Sequence, residues 1–366
     1  ISMYDCDNLS FKIIAMPKVN QKAIADQLGI SRATVSRCFT NHSGINATTR
    51  AKVFQLAAEM GYTHLESRSP AVKKARKRVN FNVLICSDTE EYFRDDYKSP
   101  GEQILVGVSE FAQAHRVDVD VDFIPPSVTS IDDPAFAKIK SLKSRKNRGV
   151  LLIYPFADSI IKELSYQLPL VSLVDQLEHE SIDCADVDHS SGISMVIDQL
   201  IAKGHRKIGF YTRDYTIAAS WSFRRYSAFV EKMARKKLKA SNRDIIGIFP
   251  RTFGSVASGI DEAIKRTKEG VTAWVCAADH QGYDLIDGFE NHGLKVPKDV
   301  SITGFDGIQR SADRPALTTI DIPFRAIGMT GADRLASRIR QRFGGSQSTY
   351  ISGTLIEGET VATPKG

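Results

Sequence analysis

The sequence predicts a small all-helical headpiece followed by a larger α/β body of two doubly wound parallel-sheet lobes. Three observations carry that expectation. Two short capped helices flank a glycine turn near the start, a basic segment follows, and two consecutive runs of apolar strands alternating with helices fill the rest.

The headpiece is placed at residues 16–64. Asn20 precedes a helix over Gln21 to Leu28, and Ser31 opens another that ends at Phe39. Gly29 and Ile30 between them form the tight turn of a helix-turn-helix. Asn and Ser at those positions accept hydrogen bonds from the unpaired amides that begin a helix. Ile24, Leu28, Ile30 and Val35 fall where two crossed helices share a core. A third helix, capped by Asn46 and carrying Val53, Leu56, Ala57 and Met60, closes it, and Gly61 ends it in the left-handed conformation.

The outer face of the second helix is the candidate functional surface. Arg32, Ala33, Ser36 and Arg37 project from its first turns, where a recognition helix meets base edges in a major groove. Arginine reads guanine through two hydrogen bonds, while Ser31, Thr34 and Ser36 are short donors suited to phosphate oxygens. Asn46 and Thr49, at the start of the third helix, complete the candidate DNA contacts. The alternative is a three-helix interaction module whose arginines are merely solvated.

The stretch AIADQLGISRATVSRCFTNHSGINATTRAKVFQLAAEMGY resembles the DNA-binding headpiece of the LacI/GalR transcriptional regulators, whose pattern is roughly VAxxAGVSxxTVSRxxN and then a helix beginning TRxxV. Ala25, Gly29, Ile30, Ser31, Thr34, Val35, Ser36, Arg37, Asn41, Thr49, Arg50, Val53 and Tyr62 match. The resemblance implies that Arg32 and Ala33 occupy the two variable positions that set operator preference, with Arg37 a shared base contact. Cys38 and Phe39 replace the usual small aliphatic pair, which alters packing more than readout. Met16 stands where such headpieces begin, so residues 1–15 are expected to be a disordered extension or a mis-assigned start.

Composition agrees with a soluble, cytoplasmic DNA-binding protein. The 366 residues are 42% apolar and 25% charged, enough for two or three cored domains. No run approaches the roughly 18 apolar residues of a membrane span, and no secretory signal is evident. Cys6, Cys38, Cys86, Cys184 and Cys276 are scattered without paired spacing, which points to free thiols in a reducing compartment. The net charge of +6 is uneven: residues 16–80 carry +9, residues 1–15 carry −1, and the remainder −2. Basicity therefore lies where phosphates would be met.

Residues 65–80 form the basic hinge or linker. The related family continues here with Pro-Asn and a short hinge helix ending in a leucine wedged into the minor groove; this chain has His64 and Leu65, and runs about four residues longer. Ser69 and Pro70 can start such a helix, with Ala71 or Val72 as the wedge. Lys73 and Lys74 can equally bind phosphates from a flexible linker, so both readings stay open.

The body, 81–366, divides into a first lobe of 81–187 with 322–349 and a second of 188–321 with 350–366. VLIC, VDVDVDF, GVLLIY and LVSLVD read as strands of the first lobe; KIGFY, DIIGIF, TAWVCAA and SITGFD read as strands of the second. GHRKIGF, LKVPKDVSITGFDG and PALTTIDIPFRAIGMTGADRL are similar to conserved segments of the same regulators. That resemblance implies a fold like the periplasmic sugar-binding proteins, with crossings between lobes near Asp186, Ile320 and Tyr350. LIEGETVA resembles the terminal LVxRxST strand, with Gly358 in place of Arg.

Ligands in such sheets sit beyond the carboxyl ends of the strands, so the cleft between the lobes is the expected effector site. Asp175, Asp279 and Asp306 each follow a strand, Arg225 lies in an early turn of a helix, and Phe324 sits near the second crossing. The resemblance places Asp175, Arg225, Asp306 and Phe324 where family members hold an effector, a sugar being the class implied. Ala278 stands where the family has Asn before Asp279. Asp88, Tyr92 and Phe93 can add to an apolar platform. Each has a plain structural reading too: aspartates cap helices, Arg225 forms an ion pair, Phe324 packs in the core.

HESIDCADVDH, residues 179–189, gathers two His, one Cys and four acids, but acids leading into a helix are ordinarily solvated, and no metal or cofactor is assigned. No glycine-rich phosphate loop or GxSxG elbow is present, so no enzyme activity is expected. The expectation is an effector-responsive regulator, a repressor by preference, binding a pseudo-palindromic operator as a homodimer with no membrane partner. The alternative is a sugar-binding protein with weak or non-specific DNA binding. Arg37→Ala should cost specific binding about 1 to 3 kcal/mol, while neutralising Lys73 and Lys74 should mainly flatten the salt dependence. Titrations of operator and random duplexes at several salt concentrations check both, and equal losses on the two duplexes for Arg37→Ala would remove its base-reading role.

Overall fold

The computed structural model describes residues 20–40, 42, 44–60, 62, 79–87, 99–139, 142, 147–177, 182–213, 220–247, 255–308, 314–341 and 344–365. Gly61, the linker with Ala71, Val72, Lys73 and Lys74, and the loop with Asp88, Tyr92 and Phe93 lie outside them.

Three helices form the headpiece: α1 (Gln21–Gln27), α2 (Arg32–Phe39) and α3 (Ala47–Glu59). Local chemistry sets their starts. The Asn20 side chain accepts from the amides of Lys22 and Ala23 at 2.9 and 3.1 Å. Ser31 Oγ accepts from the Thr34 amide at 3.0 Å, and Asn46 Oδ1 from the Thr49 amide at 2.7 Å. Gly29, at φ +63°, reverses the chain between α1 and α2 in a conformation that favours glycine. Ile24, Ala25, Val35, Cys38, Val53, Leu56 and Ala57 form the buried centre, with Leu28, Ile30 and Met60 at its margin. Cys38 is thus a core residue, and the Phe39 ring lies 5.7 Å from Phe54 and 5.4 Å from Tyr62.

The first lobe contains β1 (Asn80–Cys86), α4 (Pro100–His115), β2 (Asp118–Ile124), α5 (Pro134–Lys138), β3 (Asn147–Ile153), α6 (Asp158–Gln167), β4 (Leu170–Leu173) and β5 (Asp183–Val187). The second contains α7 (His189–Ala202), β6 (Ile208–Tyr211), α8 (Ser220–Arg235), β7 (Ile245–Ile246), α9 (Val256–Lys268), β8 (Ala273–Cys276), α10 (Asp279–Asn291) and β9 (Ser301–Thr303). β10 (Thr319–Asp321), α11 (Phe324–Arg340), β11 (Ser348–Ile351) and β12 (Thr354–Ile356) follow.

Both main sheets are parallel, in the orders β11-β5-β4-β3-β1-β2 and β7-β6-β8-β9. Val83 pairs with Val121 on one side and Leu151 on the other. Helices cover both faces, which is why β1 reads as a continuous apolar run: Val83, Leu84 and Ile85 are all buried. Sequence order in each sheet reverses beside its first strand, β1 or β6, and ligands bind at such switch points. The chain passes between lobes after β5, after β10 and after β11. β10 pairs antiparallel with β12, Ile320 opposite Leu355.

One stretch departs from its sequence reading. The segment Asp183–Val187 is expected as solvated loop, yet it forms the buried strand β5. Its acids tolerate burial because each has a partner. Asp183 Oδ2 accepts from Arg334 Nε at 2.9 Å, and Oδ1 accepts from Arg338 Nη2 at 2.9 Å and the Gln347 amide at 2.8 Å. These bonds bind β5 to α11 and to the approach of β11. Among the described residues no group of three or more His, Cys, Asp or Glu side chains is arranged to hold a metal ion.

Gly358 also has a local cause. A Cβ there would collide with the Ala316 carbonyl and the Leu317 backbone, so the arginine of the related pattern has no room. The headpiece meets the first lobe through α3. Ala51 is fully buried among the apolar side chains of the body rather than those of the headpiece, and Arg50 Nη1 donates to Gln113 Oε1 of α4 at 3.1 Å.

Asp183→Ala should strip the buried Arg338 and the half-buried Arg334 of their carboxylate and lower stability by about 3 to 5 kcal/mol. Urea denaturation measures this; a loss within a few tenths of a kcal/mol would show that the carboxylate does not hold β5 to α11.

Candidate functional site

The candidate DNA face is presented by α2. Ser31, Arg32, Ala33, Arg37 and Asn46 are exposed, while Thr34, Ser36 and Thr49 are half-buried. Ser31 Oγ and Thr34 Oγ1 lie 2.9 Å apart, so one hydroxyl donates to the other and a single O–H remains for an outside acceptor. Asn46 holds the Thr49 amide, and so caps α3 from an exposed position. Arg50 serves a different purpose from the arginines of α2. It is buried, and its Nη2 donates to the carbonyls of His42 at 2.9 Å and Ile45 at 3.4 Å, fixing the loop between α2 and α3.

The second candidate site is built at the carboxyl ends of the strands. Arg225, on the second turn of α8, is 4% exposed. Its Nη1 donates to Asp306 Oδ1 at 3.1 Å and to the Ala277 carbonyl, which follows β8. Its Nε donates to His189 Nδ1 at 3.2 Å. The guanidinium carbon lies 4.0 Å from the Phe305 ring centroid and 4.7 Å from that of Trp221, so the cation sits over two aromatic faces.

Asp306 and Asp279 form the acidic side. Asp306 Oδ2 accepts from the Asp279 amide at 3.4 Å. Asp279 is placed deeper than a ligand contact requires: its Oδ2 accepts from the Ile308 amide at 2.6 Å and its Oδ1 from Thr319 Oγ1 at 2.5 Å. It therefore ties α10 to β10 and the second crossing. Burial, then the charge of Asp306, pushes the Asp279 carboxyl up to about 8. Burial also raises Asp306, against the pull of Arg225. One guanidinium thus serves two acids, pairing with Asp306, while burial favours the protonated form of both carboxyls.

Asp175 lies across the cleft, after β4. Val174 before it is held at φ 58°, a left-handed conformation costly for a β-branched residue, and Tyr154 after β3 is at 71°. Ser220 at the start of α8 donates to Asp175 Oδ1, so this carboxylate reaches from the first lobe to the second. Burial drives the Asp175 carboxyl up to about 6, opposed by the Ser220 hydrogen bond. Phe324 opens α11 and is buried in the core shared by the lobes.

The fold thus brings Arg225, Asp306 and Asp279 into one cluster and places Asp175 beside α8, with Phe324 in the core. Sequence reasoning missed His189, Asp186, Ser220 and Thr319, which hold these groups. The sequence signals for His189 are its place in the His- and acid-rich stretch 179–189 and directly after the helix cap Asp188, at the first crossing. An opening of about 570 Å³ lies between the lobes, lined by Gln176, Asp188, His189, Ser220 and Arg224 among others. That size suits a small ligand. Its walls include the partners of Asp175 and Arg225, not those two residues themselves.

Two protein families match the chain. Residues 22–64 match the lacI family of bacterial regulatory proteins, and residues 197–361 match a periplasmic binding protein-like domain. The chain is 25% identical to the transcriptional repressor MelR of Bacillus subtilis over 343 residues, covering 88% of this chain and 92% of that protein. It is 23% identical to the lactose operon repressor of Escherichia coli over 356 residues, 95% of this chain and 92% of that one. Among solved structures it resembles the regulator CelR in complex with cellobiose, with a TM-score of 0.64 at 19% identity, covering 93% of this chain and 99% of CelR. It also resembles a lac repressor dimer bound to operator and an anti-inducer, with a TM-score of 0.60 at 20% identity over 94% of this chain and 100% of that one.

The raised Asp175 carboxyl gives a pH prediction. Its folded value of about 6 exceeds the ordinary 3.8, so the folded state holds a proton that the unfolded chain has released within that window. Stability from this group therefore rises as pH falls from 6 to 4, by an amount on the order of 3 kcal/mol, and the penalty is complete above pH 6. Asp175→Asn keeps an oxygen for Ser220 and should stabilise the protein at pH 7.5 while removing that slope. Urea titrations at pH 4.5, 6 and 7.5 check it, and an unchanged slope would free Asp175 of the burden.

Proposed function

We propose, from the premise that this chain belongs to the lacI family of bacterial regulatory proteins, that it is a sequence-specific transcriptional repressor whose operator affinity is set by a sugar bound between its two lobes. The observation that carries the reading is the state of α2: a capped helix whose Arg32, Ala33 and Arg37 are exposed, within the segment that matches the regulators. A helix of this kind enters a major groove with its first turns against base edges. Two such headpieces on a homodimer read a pseudo-palindromic operator, and the protein acts on DNA in the cytoplasm. Ser31, Thr34, Ser36, Asn46 and Thr49 supply phosphate contacts around the arginines.

The effector reading rests on Arg225. Its Nε and Nη1 are engaged, whereas among the described residues its Nη2 makes no hydrogen bond, leaving two N–H groups for a sugar hydroxyl. Asp175 and Asp306 supply acceptors for hydroxyl donors, and Asp279 acts as the strut behind them. A neutral polyol suits this set better than an anion, because the carboxylates outnumber the guanidinium. The relatives with which the chain aligns are transcription regulators, and its function is binding rather than catalysis.

Lobe closure around the effector changes the pairing of the headpieces, so effector and operator affinities are linked by one coupling free energy. Selection of duplexes from a random pool, followed by footprinting, should yield a two-fold site. Titrating the complex with cellobiose, sucrose and glucose should shift operator affinity for at least one sugar by about 5- to 150-fold. Binding of a sugar without any preferred duplex would instead favour a sugar-binding protein with non-specific DNA affinity.

A further inference from the structure

We propose that His189, held by Asp186, is a positioning residue for the effector site: it sets the plane of the Arg225 guanidinium and ties it to the first crossing between the lobes. The inference rests on the reading of Arg225 as an effector-binding side chain.

Arg225 Nε can only donate, so His189 Nδ1, 3.2 Å away, must be an unprotonated acceptor. The ring proton then sits on Nε2, which donates to Asp186 Oδ2 at 3.1 Å. Asp186 is itself held, since its Oδ1 accepts from the Val187 amide at 2.7 Å. Each ring nitrogen has one partner and the imidazole has one tautomer. A protonated ring would have no acceptor for Arg225 and would set like charges side by side. Burial, which pushes the His189 imidazole below its ordinary value, favours the neutral form that the geometry requires.

The other groups fixing Arg225 belong to the second lobe: Trp221 on α8, Ala277 after β8, and Phe305 and Asp306 after β9. They set two aromatic rings against the guanidinium and secure Nη1. Without a partner at Nε the group can still tilt about Nη1, which would redirect Nη2. His189 removes that freedom, and through Asp186 it refers Arg225 to β5 of the first lobe. Its ring also packs 5.9 Å from Phe305, so its shape is required as well as its nitrogens.

The test uses the full-length protein without a sugar. Nitrogen-15 NMR of the histidine rings at pH 7 should show His189, assigned by its loss in His189→Asn, with Nδ1 unprotonated and Nε2 protonated. The Arg225 Nε–H resonance, assigned by its loss in Arg225→Lys, should exchange slowly with water. In His189→Phe, which keeps the ring but not the acceptor, that exchange should be at least about tenfold faster, the loss of one buried hydrogen bond. His189→Asn, whose Oδ1 can replace Nδ1, should restore slow exchange; a merely space-filling role would rank the variants the other way. A proton on Nδ1 in the wild type, or unchanged protection in His189→Phe, would overturn the proposal, and the tautomer decides the matter even if the Phe variant does not fold. Failure of every sugar to bind the wild type would overturn the effector reading of Arg225 instead, and leaves these resonances unaffected.

Discussion

A single buried cation, the guanidinium of Arg225, is the constraint from which the cleft end of the second lobe takes its form. Taking a guanidinium and a carboxylate out of water costs several kcal/mol per ion, and the attraction between them offsets that only when the remaining donors are also satisfied. Arg225 meets the condition in part, with Asp306 and the Ala277 carbonyl on one nitrogen, His189 on another and two aromatic rings against the guanidinium, while its Nη2 makes no hydrogen bond among the described residues. Asp279 adds a second carboxylate for which no second cation is supplied. Burial, and for Asp279 also the charge of Asp306, lifts both carboxyls above the ordinary range, and at about 8 the Asp279 carboxyl holds its proton at neutral pH.

The same cluster is fastened to the places where the chain changes lobe. Asp186 and His189 flank the first crossing, and Thr319, which donates to Asp279, lies on β10 at the second. The second crossing leads directly into α11. α11 packs along α4, where Arg325 Nε donates to Glu110 Oε2 at 2.7 Å, and α4 carries the Gln113 that accepts from Arg50 of the headpiece. Packed and hydrogen-bonded contacts thus run unbroken from Arg225 to the helix behind the DNA face. Networks of this contiguous kind carry energetic coupling when their elements have two arrangements.

Burial of charge recurs as a way of joining elements distant in sequence. Asp183 on β5 holds Arg334 and Arg338, some 150 residues later, by the same logic that Asp306 holds Arg225. In both cases an acid that is inexpensive in water becomes costly once enclosed, and the arginine that relieves the cost fixes the packing of two elements. Polar residues in this body are therefore better guides to its assembly than their solvated counterparts on the surface.

How far the sequence alone reached follows from the range of the forces involved. The headpiece was legible because its determinants are local: Asn20, Ser31 and Asn46 each cap a helix within three residues of themselves, and Gly29 makes a turn within one. The alternation of strands and helices in the body was legible for the same reason, since apolar periodicity is a property of short windows. β5 escaped notice because the partners of Asp183, Arg334 and Arg338, are remote in the chain, and two of its five residues read as solvated acids. Arg225 and Asp306 could be named from strand ends and motif, but not that they bind each other, that Asp279 turns inward to Thr319, or that His189 stands behind the arginine. Those facts depend on which strand ends converge after both sheets have formed, and only the tertiary structure, by excluding water from that convergence, decided which charges had to pair.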